Sequence, residues 1–358
     1  MSANNFCSLE SLPTVTIAIP TYNEANSIKK VITTFLNNTY SQIVEILIAD
    51  GGSIDKTQDI VKQLSLTDSR IKLIVNPQKI QAAALNLMLC QAQGDIFLRA
   101  DAHCEYALNY VEKCVEALLK SKAINVGGAQ RFVATQTFQS GIALASKSLL
   151  GNGGAKYRNI NYNGYADTVF LGCFWKKDLL NFSGYACQDT NEDAELNLRL
   201  IKTNPESIYI SSEIKVWYDP RKNWNSLFRQ YFKYGRGRCL TSLKHPNNLQ
   251  LRGKLSFLII LNILILLLLD YLFSNINLPI QQCIITIIFL PFLESGRVTW
   301  KYQNNFITEI WRGKPNKIPS LLSLWLCCTL VIFTLPIAHF LGYGYQLFRY
   351  KLLRVKEW

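Results

Sequence analysis

Four short apolar runs, each closed by a polar turn, limit what this chain can fold into. Residues 15–19 form a β-branched run that stops at Pro20-Thr21-Tyr22-Asn23-Glu24. Residues 44–49 form a second run, closed by Asp50-Gly51-Gly52-Ser53, and residues 71–75 a third. The fourth, at 96–98, leads into Arg99-Ala100-Asp101-Ala102-His103. Runs this short and apolar read as buried strands. Helices are expected between them: one over 26–38 with Asn26 as N-cap, one over 56–64 capped by Asp55, and one over 80–91 with Ile80, Ala83, Ala84 and Leu87 on one face. Strands alternating with helices pair in parallel through right-handed crossovers. Ligands then collect at the carboxyl ends of the strands, and the polar clusters after Ile19, Ala49 and Leu98 all fall there.

The rest of the chain is less regular. Helices are expected over 106–120, 137–150, 192–202 and 223–239, and strands over 123–129, 167–174 and 208–217. Gly151-Asn152-Gly153-Gly154 reads as a mobile loop. Three apolar stretches follow, at 255–273, 276–293 and 318–341, the second holding Pro279 and Pro291 and the third Pro336. Each is near the roughly 20 residues that cross a bilayer. The hydrophobic content of 49% is concentrated there, and the formal charge is +13. No stretch reads as a nucleic-acid motif, so the cations point to a membrane surface and a phosphorylated ligand. Ten cysteines without a CxxC pair argue against structural zinc and suit a reducing compartment. The first residues lack a basic segment followed by an apolar one, so no cleavable signal peptide is expected.

Several side chains can carry chemistry. Asp50 alone reads as a turn cap, but the neighbouring strand end at Pro20–Glu24 favours a shared pocket. Asp101 and His103 suit a divalent cation: carboxylate and imidazole both bind manganese, while magnesium prefers oxygen. Arg99 can face phosphate. Glu192 and Asp193 open a helix after a Gly-containing loop. Acids there are favoured by the helix dipole alone, yet a transferase needs a carboxylate base for an acceptor hydroxyl. The stretch Arg229-Gln230-Tyr231-Phe232-Lys233-Tyr234-Gly235-Arg236-Gly237-Arg238 mixes cations with aromatics. It suits a diphosphate clamp or an interfacial helix.

Five motifs in order carry a resemblance: Ile19-Pro20-Thr21-Tyr22-Asn23-Glu24, Ala49-Asp50-Gly51-Gly52-Ser53-Ile54-Asp55, Ala84-Leu85-Asn86, Asp101-Ala102-His103 and Asn191-Glu192-Asp193-Ala194-Glu195-Leu196. Together they resemble glycosyltransferase family 2, the inverting GT-A enzymes that use nucleotide sugars, and within it the membrane-attached exopolysaccharide enzymes of the succinoglycan type. The resemblance implies an α/β fold: a Rossmann-like mixed sheet flanked by helices, followed by a C-terminal helical transmembrane region. It implies a tail over 1–12, a catalytic domain over 13–240 with a nucleotide half (13–105) and an acceptor half (106–240), and a membrane region over 241–358. It implies that Pro20, Tyr22, Glu24, Asp50, Ser53, Asn86, Arg99 and Asp101 bind the nucleotide sugar, with UDP favoured. Asp101 and His103 would hold Mn2+ or Mg2+. Asp193 would be the general base with Glu192 in support, and Gln230, Lys233 and Tyr234 would face acceptor or diphosphate. Two departures stand out: His103 replaces the usual second aspartate, and Lys233-Tyr234 replaces an Arg-Trp pair, which argues against processive synthesis.

The implied acceptor is a lipid-linked saccharide at the cytoplasmic face of the cell membrane, with polysaccharide-assembly proteins as further partners. A polyprenyl-phosphate sugar synthase of the same fold and a non-catalytic nucleotide-binding scaffold are the alternatives. The joint presence of Asp50, Asp101 and Asp193 argues against the scaffold. Arg252 and Lys254 before the first apolar stretch, and Arg297, Lys301, Arg312, Lys314 and Lys317 between the second and third, agree with a cytoplasmic catalytic side. Three complete crossings would place Arg349, Lys351, Arg354 and Lys356 outside, which the same rule disfavours. A stretch that bends back or lies in the interface resolves the conflict.

Overall fold

The computed structural model describes residues 12–246, 251–272 and 280–355. The tail through residue 11, residues 273–279 of the first two apolar stretches, the Arg252 side chain and Lys356 lie outside the described residues. In chain order the strands are β1 (Val15–Thr21), β2 (Ile43–Asp50), β3 (Ile71–Val75), β4 (Ile96–Arg99), β5 (Cys104–Tyr106), β6 (Asn125–Phe132), β7 (Gly164–Tyr165), β8 (Phe170–Trp175) and β9 (Ile208–Tyr218). The helices are α1 (Ile28–Leu36), α2 (Thr57–Thr67), α3 (Gln81–Gln91), α4 (Tyr110–Ser121), α5 (Thr137–Ala145), α6 (Leu149–Asn152), α7 (Lys176–Asn181), α8 (Glu192–Thr203), α9 (Trp224–Lys244), α10 (Leu251–Leu272), α11 (Ile280–Tyr302) and α12 (Leu321–Lys351).

The chain divides into two compact units. The first takes the chain up to Gly128 with Asn163–Cys187 and Leu196–Val216; the second takes Ala129–Tyr162, Gln188–Glu195 and everything from Trp217. The first is built on a mixed sheet of order β3-β2-β1-β4-β8-β6-β9-β5, with β7 beside β9. The first four strands in that order are parallel, and β8 runs antiparallel to both β4 and β6. This is the expected α/β mixed sheet. Its centre is continuously apolar: Ile17, Ile19, Ile46, Leu47, Ile48, Phe97 and Leu98 are all fully buried, as strands covered on both faces require.

Some local expectations shift. The first helix begins at Ile28, with Ser27 rather than Asn26 at its N-cap position. Asp55 does serve α2, accepting from the Thr57 N–H at 3.0 Å. The stretch around 106 holds strand β5 before its helix, because Tyr106 must enter the core: its ring lies 4.8 Å from both Phe35 and Tyr110. The expected 151–154 loop is partly α6, closed by Gly153 and Gly154 at φ 59° and 74°.

An acid lies within this sheet. Glu45 is fully buried on β2. It accepts from Thr16 Oγ1 (2.8 Å), Gln93 N (2.6 Å) and Lys72 Nζ (2.7 Å). Burial raises its pKa, but these three donors together outweigh burial and hold it below the usual carboxylate value.

In the second unit, α5, α9, α11 and α12 surround an apolar cluster that includes Ile142, Leu144, Leu227, Val298, Leu324, Val331, Ile332 and Leu335. Helices α9 and α12 pack with backbones in contact. A Cβ on Gly235 would collide with His339 O, and one on Gly342 with Phe232 O. Trp224 Nε1 donates to Thr334 Oγ1 at 2.9 Å, and Arg236 Nε to Gln346 Oε1 at 3.0 Å. Among the described residues two helices, Gly253–Leu272 and Leu321–Lys351, are long and apolar enough to cross a membrane, against the three stretches expected.

Glu45→Ala would leave Thr16 and Gln93 without an acceptor. A loss of about 2–3 kcal/mol is expected, read as a lower thermal midpoint in detergent. Because the folded pKa is depressed, the Glu45 contribution is present above the unfolded value of about 4.3. It drains away as pH falls through the lower folded value. Variant and wild type should therefore converge in acid; an undiminished gap there would contradict this account.

Candidate active site

The register of the parallel strands brings the first unit's polar turns together. Thr21 pairs with Asp50 across β1 and β2, and Ala18 with Arg99 across β1 and β4. The turns after β1 and β2 are then laced by hydrogen bonds. Gly51 N donates to Thr21 O (2.9 Å), Asn23 N to Ser53 Oγ (2.8 Å), Ile54 N to Asn23 Oδ1 (2.9 Å) and Glu24 N to Thr57 Oγ1 (2.8 Å). Asn23 adopts φ 56° to make this fit, a conformation that costs a non-glycine residue energy and that Asn tolerates better than most.

Asp50 is the hub of this lacing. Its buried carboxylate accepts from Gly52 N (3.0 Å), Ser53 N (2.8 Å), Ser53 Oγ (2.5 Å) and Gln58 Nε2 (2.7 Å). The turn-cap reading holds: Asp50 caps its turn and thereby keeps the backbone of 51–53 at the strand end. Tyr22 is exposed beside it. Asn86 spends both ends of its amide on Tyr185, donating to O at 2.7 Å and accepting from N at 2.9 Å, and so secures the 184–185 loop.

On the other side of β1, Asp101 follows β4. Its carboxylate lies 3.6 Å from Arg99 Nε and accepts from Gln81 Nε2 at 3.4 Å. Its backbone is fixed by Tyr106, whose hydroxyl donates to Asp101 O at 3.0 Å. Burial pushes the Tyr106 phenol well above its ordinary pKa, so it remains a donor. His103 Nδ1 lies 3.2 Å from Glu24 Oε1, so the first and fourth strand ends are joined by a His–Glu contact. Among the described residues no three His, Cys, Asp or Glu side chains gather as a metal cage. The donor set fits a cation of the magnesium or manganese kind, which takes one or two protein ligands and fills its shell with phosphate and water.

The second unit carries the other expected residues. The turn at 188–195 is laid on α9. Thr190 Oγ1 donates to Lys233 O (3.0 Å), Asn191 Nδ2 to Tyr234 O (3.0 Å), and Lys233 Nζ pairs with Asp189 Oδ2 (3.1 Å). His245 Nε2 meets Glu195 Oε1 at 2.9 Å. Asn191 takes φ 60°, and Glu195 N donates to its carbonyl. The close approach depends on Gly237, where a Cβ would collide with Asn191 Nδ2 and lie 2.6 Å from Thr190 Oγ1. Glu192 is buried, whereas Asp193 is half-buried and its carboxylate accepts from the adjacent Ala194 N at 2.7 Å. Gln230 donates to Tyr234 Oη at 2.8 Å.

The chain was compared with known proteins. The family model "Glycosyl transferase family 2" matches residues 16–175. The succinoglycan biosynthesis protein ExoA of Rhizobium meliloti (strain 1021) is 36% identical over 248 residues, covering 68% of this chain and 74% of that protein. This chain belongs to glycosyl transferase family 2. It is a glycosyltransferase, and the stretch matched by the family model carries the turns after β1, β2 and β4. A dolichyl N-acetyl-α-D-glucosaminyl phosphate glucuronosyltransferase of Methanococcus voltae is 28% identical over 236 residues, 63% of this chain and 73% of that one. A Pyrobaculum calidifontis mannosyltransferase solved with GDP-Man and Mn2+ has a TM-score of 0.49 at 14% identity, covering 94% of this chain and 88% of its own.

Two residues of this glycosyltransferase escaped the sequence reading. Lys79 (φ 57°) lies over the Asp50 turn: a Cβ on Gly52 would sit 3.5 Å from Lys79 Cε and 3.8 Å from its Nζ. Applying the strand-end rule to β3 as well would have found it. Arg158 sits among aromatics of which all but Tyr157 are distant in sequence.

Gly237→Val should push the 190–191 turn off α9 while leaving the first unit's sheet untouched. A displacement near 1 Å around a reacting group costs on the order of 100-fold. Turnover in detergent should fall at least tenfold with little change in thermal midpoint. Wild-type turnover would refute the dependence on this contact.

Proposed function

We propose that this enzyme is an inverting transferase. It moves a sugar from a nucleoside-diphosphate sugar, with UDP favoured, to a hydroxyl of a lipid-linked acceptor during exopolysaccharide or cell-surface glycan synthesis. The reading rests on Asp193. In the 189–195 turn Asp189 is paired with Lys233, Glu195 with His245, and Glu192 is buried. Asp193 keeps a half-buried carboxylate that accepts from its neighbour's N–H. That is the state a general base needs.

In the proposed reaction the acceptor hydroxyl gives its proton to Asp193 and its oxygen attacks the anomeric carbon. The bond from that carbon to the diphosphate breaks, and the nucleoside diphosphate leaves with the electron pair. The turns around Asp50, with Pro20, Tyr22, Glu24 and Ser53, take the base and ribose. Arg99 and Asp101 lie at the strand end assigned to the diphosphate. A divalent cation held by Asp101, with His103 beside it, would supply neutralisation of the leaving diphosphate. Similarity to a relative named for succinoglycan biosynthesis, and to one named for a dolichyl-linked acceptor, supports the lipid-linked class.

A cytoplasmic catalytic side follows from the donor. We read α10 as a crossing segment, since the apolar window within Gly253–Leu272 is not buried in the protein, and the apolar stretch at 276–293 as the crossing that returns the chain to the same side. We read α12 as docked rather than crossing, because its apolar face packs on α5 and on α9, a helix bearing Lys233, Arg236, Arg238 and Lys244. Arg312, Lys314 and Lys317 before α12 then stay on the same side as Arg349, Lys351 and Arg354 after it.

Two experiments test the reading. Purified enzyme with nucleotide sugars, manganese and a membrane lipid extract should release nucleoside diphosphate; EDTA should stop the release. Asp193→Asn should abolish it while donor binding persists, and activity in that variant would remove Asp193 as base. A green fluorescent protein fused after residue 358 should fluoresce in cells and an alkaline phosphatase fusion should be silent. An active phosphatase would overturn the docked reading of α12.

A further inference from the structure

We propose that Arg158 binds the phosphate of the lipid-linked acceptor, a role that rests on the lipid-linked reading above. Arg158 lies in the short segment after Gly153 and Gly154. Its guanidinium sits 4.6 Å from the Phe132 ring centroid and 4.8 Å from that of Tyr157. Tyr231 and Tyr234 of α9, with rings 5.3 Å apart, complete the surroundings. Nη1 is buried and makes no hydrogen bond.

The charge balance of this cage is the argument. After burial, the largest influences on Arg158 come from Tyr157, Tyr231 and Tyr234, and Tyr157 also forms a side-chain hydrogen bond with it. Burial pushes the Tyr231 hydroxyl up to about 12 and that of Tyr234 well above its ordinary value. Both rings are neutral at physiological pH. Aromatic faces attract a cation but do not replace a counter-ion, and a buried N–H without an acceptor is costly. A guanidinium kept this way is prepared for an oxyanion, and its planar fork matches phosphate.

The source of the phosphate follows from the cage's other side. Phe132 and Tyr231 also pack against the apolar cluster of α5, α9, α11 and α12. An anion site bordered by the unit's apolar helices suits an amphiphile whose phosphate meets Arg158 and whose chain continues along hydrocarbon. A free nucleotide gains nothing from that border.

The test measures binding by calorimetry to the full-length protein in detergent, using farnesyl phosphate, farnesol, UDP and GDP. Wild type should bind farnesyl phosphate more tightly than farnesol. Arg158→Gln should weaken farnesyl phosphate by about tenfold or more and leave farnesol and both nucleotides within twofold. Arg158→Lys keeps the charge without the fork and should give an intermediate loss; it carries the test if the glutamine variant does not fold. Unchanged farnesyl phosphate binding overturns the proposal. So does an equal loss for farnesol, which marks a packing role, or a loss confined to the nucleotides, which moves the site to the donor. Because the readout is binding, it stands apart from the transfer assay: absent nucleoside diphosphate release in wild type defeats the reaction assigned above whatever Arg158 does.

Discussion

Parallel pairing of β1 between β2 and β4 is the constraint on which the first unit depends. Parallel strands all leave the sheet at the same edge. Polar turns that are far apart in sequence therefore finish side by side with no further design. The register Thr21–Asp50 and Ala18–Arg99 decides which of them meet. Once they meet, Asp50 is more useful as an acceptor for five donors, Thr21 Oγ1 across the register among them, than as an isolated charge. It organises the Gly51–Ser53 backbone, which in turn holds Asn23 in a left-handed conformation. The local strain is offset by hydrogen bonds that only the parallel register supplies.

The second unit solves a different problem. The 188–195 turn is polar and has little apolar surface with which to hold itself. It borrows rigidity from α9, through two backbone carbonyls, one ion pair and the missing side chain of Gly237. The same helix has Gly235 pressed to α12. One helix thus carries the turn bearing the proposed base on one side and the apolar helix on another. Its mixture of cations, aromatics and glycines, which in sequence admitted two roles, reflects this double duty.

The sheet was legible because its signal is local: apolar runs of three to six residues, each closed by a polar turn, read as buried strands. Residues that act through backbone turns, such as Asp50 and Asp55, were legible for the same reason. What stayed hidden depends on partners distant in sequence. Asn86 looks like a ligand-facing amide until Tyr185 arrives, 99 residues later. Lys79 gains meaning only over Gly52. Arg158 draws its surroundings from positions 132, 231 and 234 as well as from its neighbour Tyr157. The apolar stretch at 318–341 reads as a crossing segment by composition, and α12 is long and apolar enough for one; what composition does not show is that protein packs against one of its faces.

Gly235 and Gly342 make α9 and α12 touch through main chain. Side chains between helices act as cushions: they change rotamer and take up small shifts. Main chain against main chain has no such slack. The pair is therefore stiff along its length, and a force applied at either end of α12 is met by α9 without being absorbed between them.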